Sequence, residues 1–185
     1  MNKILKMILS ILVILIIAIL GFGIYKFNFT NDDIYLKNGS QINTYDGIYK
    51  IDGQDVELKN GISTKDVENS TSKVITKVFG NEVKKDFDND GNQDLAFLIT
   101  QETGGTGVFY YIVARLNTKN GPVGTEGFFI GDRIAPQTTE IRQDNIILVN
   151  YADRGINEDF SIKPSIGVSK YLRLDLDLMR FISGK

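Results

Sequence analysis

The segment Asp86-Phe87-Asp88-Asn89-Asp90-Gly91-Asn92-Gln93-Asp94 sets four carboxylates at positions 1, 3, 5 and 9 of a nine-residue stretch, with glycine at position 6. A Ca2+ ion takes six to eight oxygens at roughly 2.3–2.6 Å, and alternate side chains of a tight loop can converge on one such point. The Asn92 carbonyl is the natural backbone ligand, and Gly91 relieves the turn that aims it inward. Asp86, Asp88, Asp90, Asn92 and Asp94 are therefore the expected metal ligands, with Ca2+ in a structural role. The plainer alternative is an Asx-rich surface turn between Val83 and Leu95. One or two acids would not exceed that reading, whereas four at alternate spacing do. An EF-hand is the rival motif, but its bidentate Glu at position 12 is here Phe97, inside an apolar run.

The chain of 185 residues contains no cysteine and no histidine. Zinc and iron–sulfur centres, thiol nucleophiles and Ser/His or Cys/His catalysis are excluded. Lys and Arg number 21 against 23 Asp and Glu, for a net charge of -2, which argues against nucleic-acid binding by counterion release. The other acids worth attention are Glu102, Asp132, Glu140 and Asp153, which with Arg133, Arg142 and Arg154 can line one end of a β-sandwich or barrel as an interaction surface. Two carboxylates there could act as acid and base on a glycosidic bond, yet no spacing selects a pair. Ion pairs and turn hydrogen bonds that fix long loops are the plainer account, and no catalytic residue is assigned. Phe109, Tyr110, Tyr111, Phe128 and Phe129 can stack on sugars, although aromatics at strand spacing are ordinarily core or cross-strand pairs. Gly104-Gly105-Thr106-Gly107 lacks the Gly-Lys-Ser/Thr of a phosphate loop and precedes an apolar run, so it reads as a hairpin loop.

The elements that position these groups read as short alternating runs broken by Gly, Asn and Asp, the pattern of antiparallel β-structure. Ile48–Ile51 and Val56–Leu58 flank an Asp52-Gly53 hairpin signal. Val74–Phe79, Leu95–Thr100, Val108–Leu116, Phe128–Ile130, Ile146–Tyr151 and Val168–Leu178 are the further expected strands. Leu95–Thr100 and Val108–Leu116, apolar runs separated by a loop with Gly104, Gly105 and Gly107, should be the most deeply buried. In the last run Leu172, Leu174, Leu176 and Leu178 alternate with Tyr171, Arg173, Asp175 and Asp177, which predicts one half-exposed strand to Leu178. Pro122, Pro136 and Pro164 fall between runs. A short helical stretch around Thr64–Ser72 is conceivable but poor in apolar residues. The expected fold is mostly β, an antiparallel sandwich or barrel-like domain, and the absence of an internal repeat leaves a propeller unsupported.

Ahead of that domain, Met7 to Tyr25 is a run of 19 residues without a charge, preceded by Lys3 and Lys6. At about 1.5 Å per residue a helix of this length covers roughly 28 Å of the ~30 Å hydrocarbon core. The lysines stay cytoplasmic under the positive-inside rule, so residues 1–26 read as a cytoplasmic tip and transmembrane anchor. Residues 27–44 read as a polar stalk, and 45–185 as an extracytoplasmic β domain. A cleaved signal peptide competes, but its apolar core is about 7 to 15 residues and ends in small residues. Without Lys3, Lys6 and Lys26 the exported part carries 18 basic and 23 acidic groups, which suits cation binding better than adhesion to an anionic membrane surface. Lacking cysteine, it cannot use disulfides and must rely on a core of ordinary size, assisted by a metal.

The acidic loop running into Leu95-Ala96-Phe97-Leu98 resembles the calcium loops of FG-GAP and VCBS repeats, whose Asp-x-Asp-x-Asp-Gly-x-x-Asp pattern it matches over roughly 15 residues. The segments Thr100–Gly107 with Phe109-Tyr110-Tyr111, Gly131–Glu140 and Asn150–Arg154 resemble a family of exported bacterial proteins, lipoproteins or membrane-anchored, across about residues 47 to 175. That resemblance implies an extracytoplasmic location and supplies no activity. The lipobox cysteine of its lipoprotein members is missing here, so anchoring would rest on the helix. The expected function is a membrane-anchored, calcium-binding cell-envelope module with a glycan or protein ligand. The alternative is an envelope hydrolase acting on glycan or peptide through Glu102 or Asp132.

Overall fold

The computed structural model describes residues 44–184, together with Leu12 in a helical conformation and the backbone of Ile34–Tyr35 and Gln41–Ile42. The expected transmembrane run therefore lies outside the described residues apart from Leu12. Among the described residues no helix is long and apolar enough to cross a membrane. The chain divides into two compact units, Met1–Thr44 and Tyr45–Lys185. In the first, β1 (Ile34–Tyr35) and β2 (Gln41–Ile42) form a short antiparallel pair within the segment expected to be a polar stalk.

The second unit is mostly β. Its strands are β3 (Gly47–Ile51), β4 (Gln54–Leu58), β5 (Ile62–Asp66), β6 (Lys73–Lys85), β7 (Asp94–Glu102), β8 (Phe109–Thr118), β9 (Gly121–Gly124), β10 (Phe128–Asp132), β11 (Ala135–Ile141), β12 (Ile146–Asp153), β13 (Ile166–Asp175) and β14 (Arg180–Ser183). A curled antiparallel sheet runs β10-β8-β7-β6-β5, with β9 paired to β8. A second sheet runs β11-β12-β13-β14, and β3-β4 is a hairpin. Glu126 joins the hairpin to the second sheet, bridged in parallel to Lys50 on one side and Arg180 on the other. The hairpin turn is the one its sequence signals, with Ile51 paired to Gln54 and positive φ at Asp52 (48°) and Gly53 (79°).

The central stretches of β7 and β8, residues 95–99 and 111–114, are continuously apolar because both of their faces are covered. Ala96, Leu98, Ile112, Ala114 and Leu116 pack against Ile147, Val149, Tyr151, Leu172 and Phe181 of the second sheet. Leu95, Phe97, Ile99, Tyr111 and Val113 pack on the opposite face against Tyr49, Ile51 and Leu58 of the hairpin. Alternate residues thus enter two cores, which explains why polar alternation is missing from these two strands. Edge-to-face rings of Tyr45 and Tyr49 on Phe97, with centroids 5.0 and 5.7 Å apart, fix the hairpin to the sheet.

Several expectations are corrected. The last expected strand stops at Asp175, whose carboxylate accepts the Leu178 N–H at 3.0 Å and starts a turn. Leu176 and Leu178 are consequently exposed, and Phe181 on the returning strand β14 enters the core instead. Strand β5 and a turn replace the conceivable helix at 64–72, since Ser63 to Asp66 pair with Lys73 to Thr76. The Gly131–Glu140 segment, read as a loop, contains strand β11. Pro136 sits in β11 and Pro122 in β9 rather than between runs; both strands pair on one side, where a missing N–H is tolerated.

Candidate metal centre and the polar loops

The acidic loop connects β6 to β7, and its shape follows from where its backbone N–H groups go. Asp86 accepts from the N–H of Asp90 at 3.2 Å and of Gly91 at 3.0 Å. Asp88 accepts from Asp90 N–H at 3.1 Å. Asn89 and Gly91 have positive φ (59° and 91°), and a Cβ on Gly91 would meet nothing, so its conformation rather than space calls for glycine. Phe87, the apolar residue between the first two acids, is buried in the core between the sheets and pins the loop from below.

Asp94 opens β7 and is buried at 1 % exposure. One of its oxygens accepts Phe87 N–H at 2.8 Å and the other accepts Asn117 N–H at 2.7 Å. Asn117 continues inward: its side chain accepts from Arg115, which is buried and donates through Nε to the Asp46 carbonyl at 3.0 Å. Burial holds the Arg115 guanidinium below its usual value, countered by Tyr49 and Asp46. Neither Asn117 nor Arg115 carries a sequence signal for this role, because Asn117 meets the Asp94 carboxylate only once β7 and β8 pair, and Arg115 acts through Asn117.

Asp86, Asp88 and Asp94 each offer an oxygen within 4.8 Å of the others, a group that could hold a metal ion. Asp90 stands apart from this trio, its two oxygens accepting the backbone and side-chain N–H groups of Asn92, each at 2.8 Å. The crowding has an electrostatic consequence at Asp88. Its carboxyl is pushed above the usual value by loss of hydration and by the charges of Asp94, Asp90 and Asp86, with the Asp90 N–H opposing.

The polar residues expected to gather at one end of the fold do so in part. Asp132 accepts Val108 N–H at 3.0 Å and forms an ion pair with Arg133 at 2.6 Å. Arg133 has positive φ (50°) and lays its guanidinium 3.7 Å from the centre of the Phe160 ring. Arg154 donates to the Arg133 carbonyl at 2.8 Å and the Ile162 carbonyl at 2.6 Å, and its own N–H goes to Asp153 at 2.8 Å. Asp132, Arg133, Asp153 and Arg154 therefore form one cluster that straps the 155–165 loop to the β10–β11 corner. Glu102 lies at the end of β7 in an ion pair with Lys77 at 2.8 Å. Glu140 lies toward the opposite end of β11, opposite Leu148, and pairs with Arg142 at 2.7 Å. These bonds are of the kind that fix loops and edges.

No family model matches the chain, and no match is found among curated proteins or solved structures.

Proposed function

We propose that the chain is a membrane-anchored, extracytoplasmic module whose β domain holds a structural Ca2+ ion and whose polar loops face a cell-envelope ligand. The observation that carries the reading is the convergence of Asp86, Asp88 and Asp94 within 4.8 Å. Oxygen donors with no sulfur or imidazole suit a hard cation such as Ca2+. Asp94 is fixed in advance by its bonds to Phe87 and Asn117, while Asp86 and Asp88 come from the turn. Asp90 and the Asn92 carbonyl, the other expected ligands, would have to turn toward the ion, Asp90 giving up its bonds to Asn92, to complete the oxygen set. Bound Ca2+ would neutralise the repulsion that this arrangement otherwise sustains. It would also tie β6 to β7 at the mouth of the core, which is a structural role.

The membrane half of the proposal rests on the uncharged run from Met7 to Tyr25 behind Lys3 and Lys6. The test of the metal is thermal unfolding of the full chain in detergent with calcium, magnesium or a chelator. An extracellular-type affinity of roughly 10⁻⁴ to 10⁻³ M adds about 1 kcal/mol at millimolar Ca2+. Identical melting in all three conditions would overturn the site.

A further inference from the structure

A cavity of about 190 Å³ lies between the tip of the β3–β4 hairpin and the ends of β5, β6 and β7, well away from the acidic loop. Its floor is polar where a core would be apolar. Thr76 is 1 % and Gln101 9 % exposed, and the Gln101 side-chain N–H donates to the Thr76 hydroxyl at 3.1 Å. The Gln101 carbonyl oxygen accepts no bond within the fold and is not sealed off, so it opens on the cavity. An acceptor that opens on a cavity is free to take a ligand hydroxyl in place of water.

Around this floor, Asp52 accepts from the Tyr111 hydroxyl at 2.8 Å, which orients it, and Asp55 forms an exposed ion pair with Lys50 at 3.0 Å. Lys65 also lines the cavity and has no ion-pair partner among the described residues. Val56 and Val74 supply an apolar wall. Oriented acceptors at Gln101 and Asp52 that can take hydroxyl donors, an apolar wall and a lysine without an ion-pair partner describe a site for a small polyhydroxylated ring. We propose that this cavity binds a single pyranose unit, with a hydroxyl on the Gln101 carbonyl and with Lys65 favouring a sugar that bears a carboxylate. The site is separate from the metal loop and does not depend on the calcium reading, since none of residues 86–94 lines it.

The test titrates the full chain, in a detergent without a sugar headgroup, with glucose, galactose, N-acetylglucosamine and glucuronate, followed by saturation-transfer NMR. A ligand of this size in a small cavity should bind with Kd of roughly 1 mM, equally with calcium and with chelator. Ser63→Trp, which fills the cavity from the half-buried position of the otherwise exposed β5, and Gln101→Leu should each weaken binding by roughly tenfold or more. Lys65→Gln should weaken glucuronate and leave glucose unchanged. Should Gln101→Leu fail to fold, Ser63→Trp decides. Absence of saturable binding by all four sugars up to about 50 mM, or binding unaltered in Ser63→Trp, would overturn the proposal.

Discussion

Asp94 and Phe87 are joined across the acidic loop: the buried carboxylate accepts the Phe87 backbone N–H at 2.8 Å, while the Phe87 ring sits in the core beneath. With the Asn117 N–H on its other oxygen, Asp94 is a structural acceptor before it is a ligand. Asp94→Ala should therefore cost about 3 kcal/mol in chelator, from one buried and one part-buried N–H group that lose a charged partner. Chemical denaturation in chelator measures this, and a loss below about 1 kcal/mol would contradict the assignment.

Asp88 behaves in the opposite way. It is half-exposed, accepts one N–H and faces three like charges. Asp88→Ala should leave the metal-free protein unchanged or slightly more stable while removing the calcium increment. Marked destabilisation in chelator would show that its hydrogen bond outweighs the repulsion.

The raised Asp88 carboxyl also predicts a pH dependence. The folded state holds this proton more tightly than the unfolded chain does. Metal-free protein should therefore gain stability from this group as pH falls through the raised folded value, the gain being complete below the ordinary carboxylate value of about 3.9. Calcium needs the ionised form, so its melting increment should shrink over that same window. An increment that stays constant from about pH 7 to about pH 4 would contradict proton competition at the site.

Arg154 straps the 155–165 loop through the Ile162 and Arg133 carbonyls. Arg154→Ala should cost about 1–2 kcal/mol and speed chymotrypsin cleavage at Phe160, already half-exposed, by loosening the loop, because both carbonyls lose a charged donor. Unchanged cleavage at Phe160 would show that the Arg133–Phe160 contact holds the loop alone.

For the anchor, full-length protein should stay in the membrane fraction through a high-salt wash. Replacing Leu15 and Ile16 with Lys should release it, each cation at a helix centre costing roughly 2.5–3.5 kcal/mol on insertion scales. A processed soluble form beginning near residue 22 would favour the signal-peptide alternative.

What the sequence by itself determined was local. Alternation at Tyr171–Leu174 and the apolar runs in β7 and β8 follow from side chains pointing to opposite faces of a strand. The Asp52-Gly53 turn follows from backbone conformations that few other residues adopt. The acid spacing from Asp86 to Asp94 is likewise visible within one loop. Strand β11 escaped notice because its polar residues lie on a sheet edge, and edge pairing leaves little hydrophobic pattern. The turn after Asp175 escaped because alternating leucines continue past the point where the core ends. Tertiary structure alone decided which elements cover the two faces of β7, that Asn117 supports Asp94 from the neighbouring strand, and that Glu140 stands apart from Asp132. It also set Gln101 at the floor of a cavity. Each of these is a contact between segments distant along the chain, fixed by which strands pair and which faces pack, and no local spacing encodes that choice.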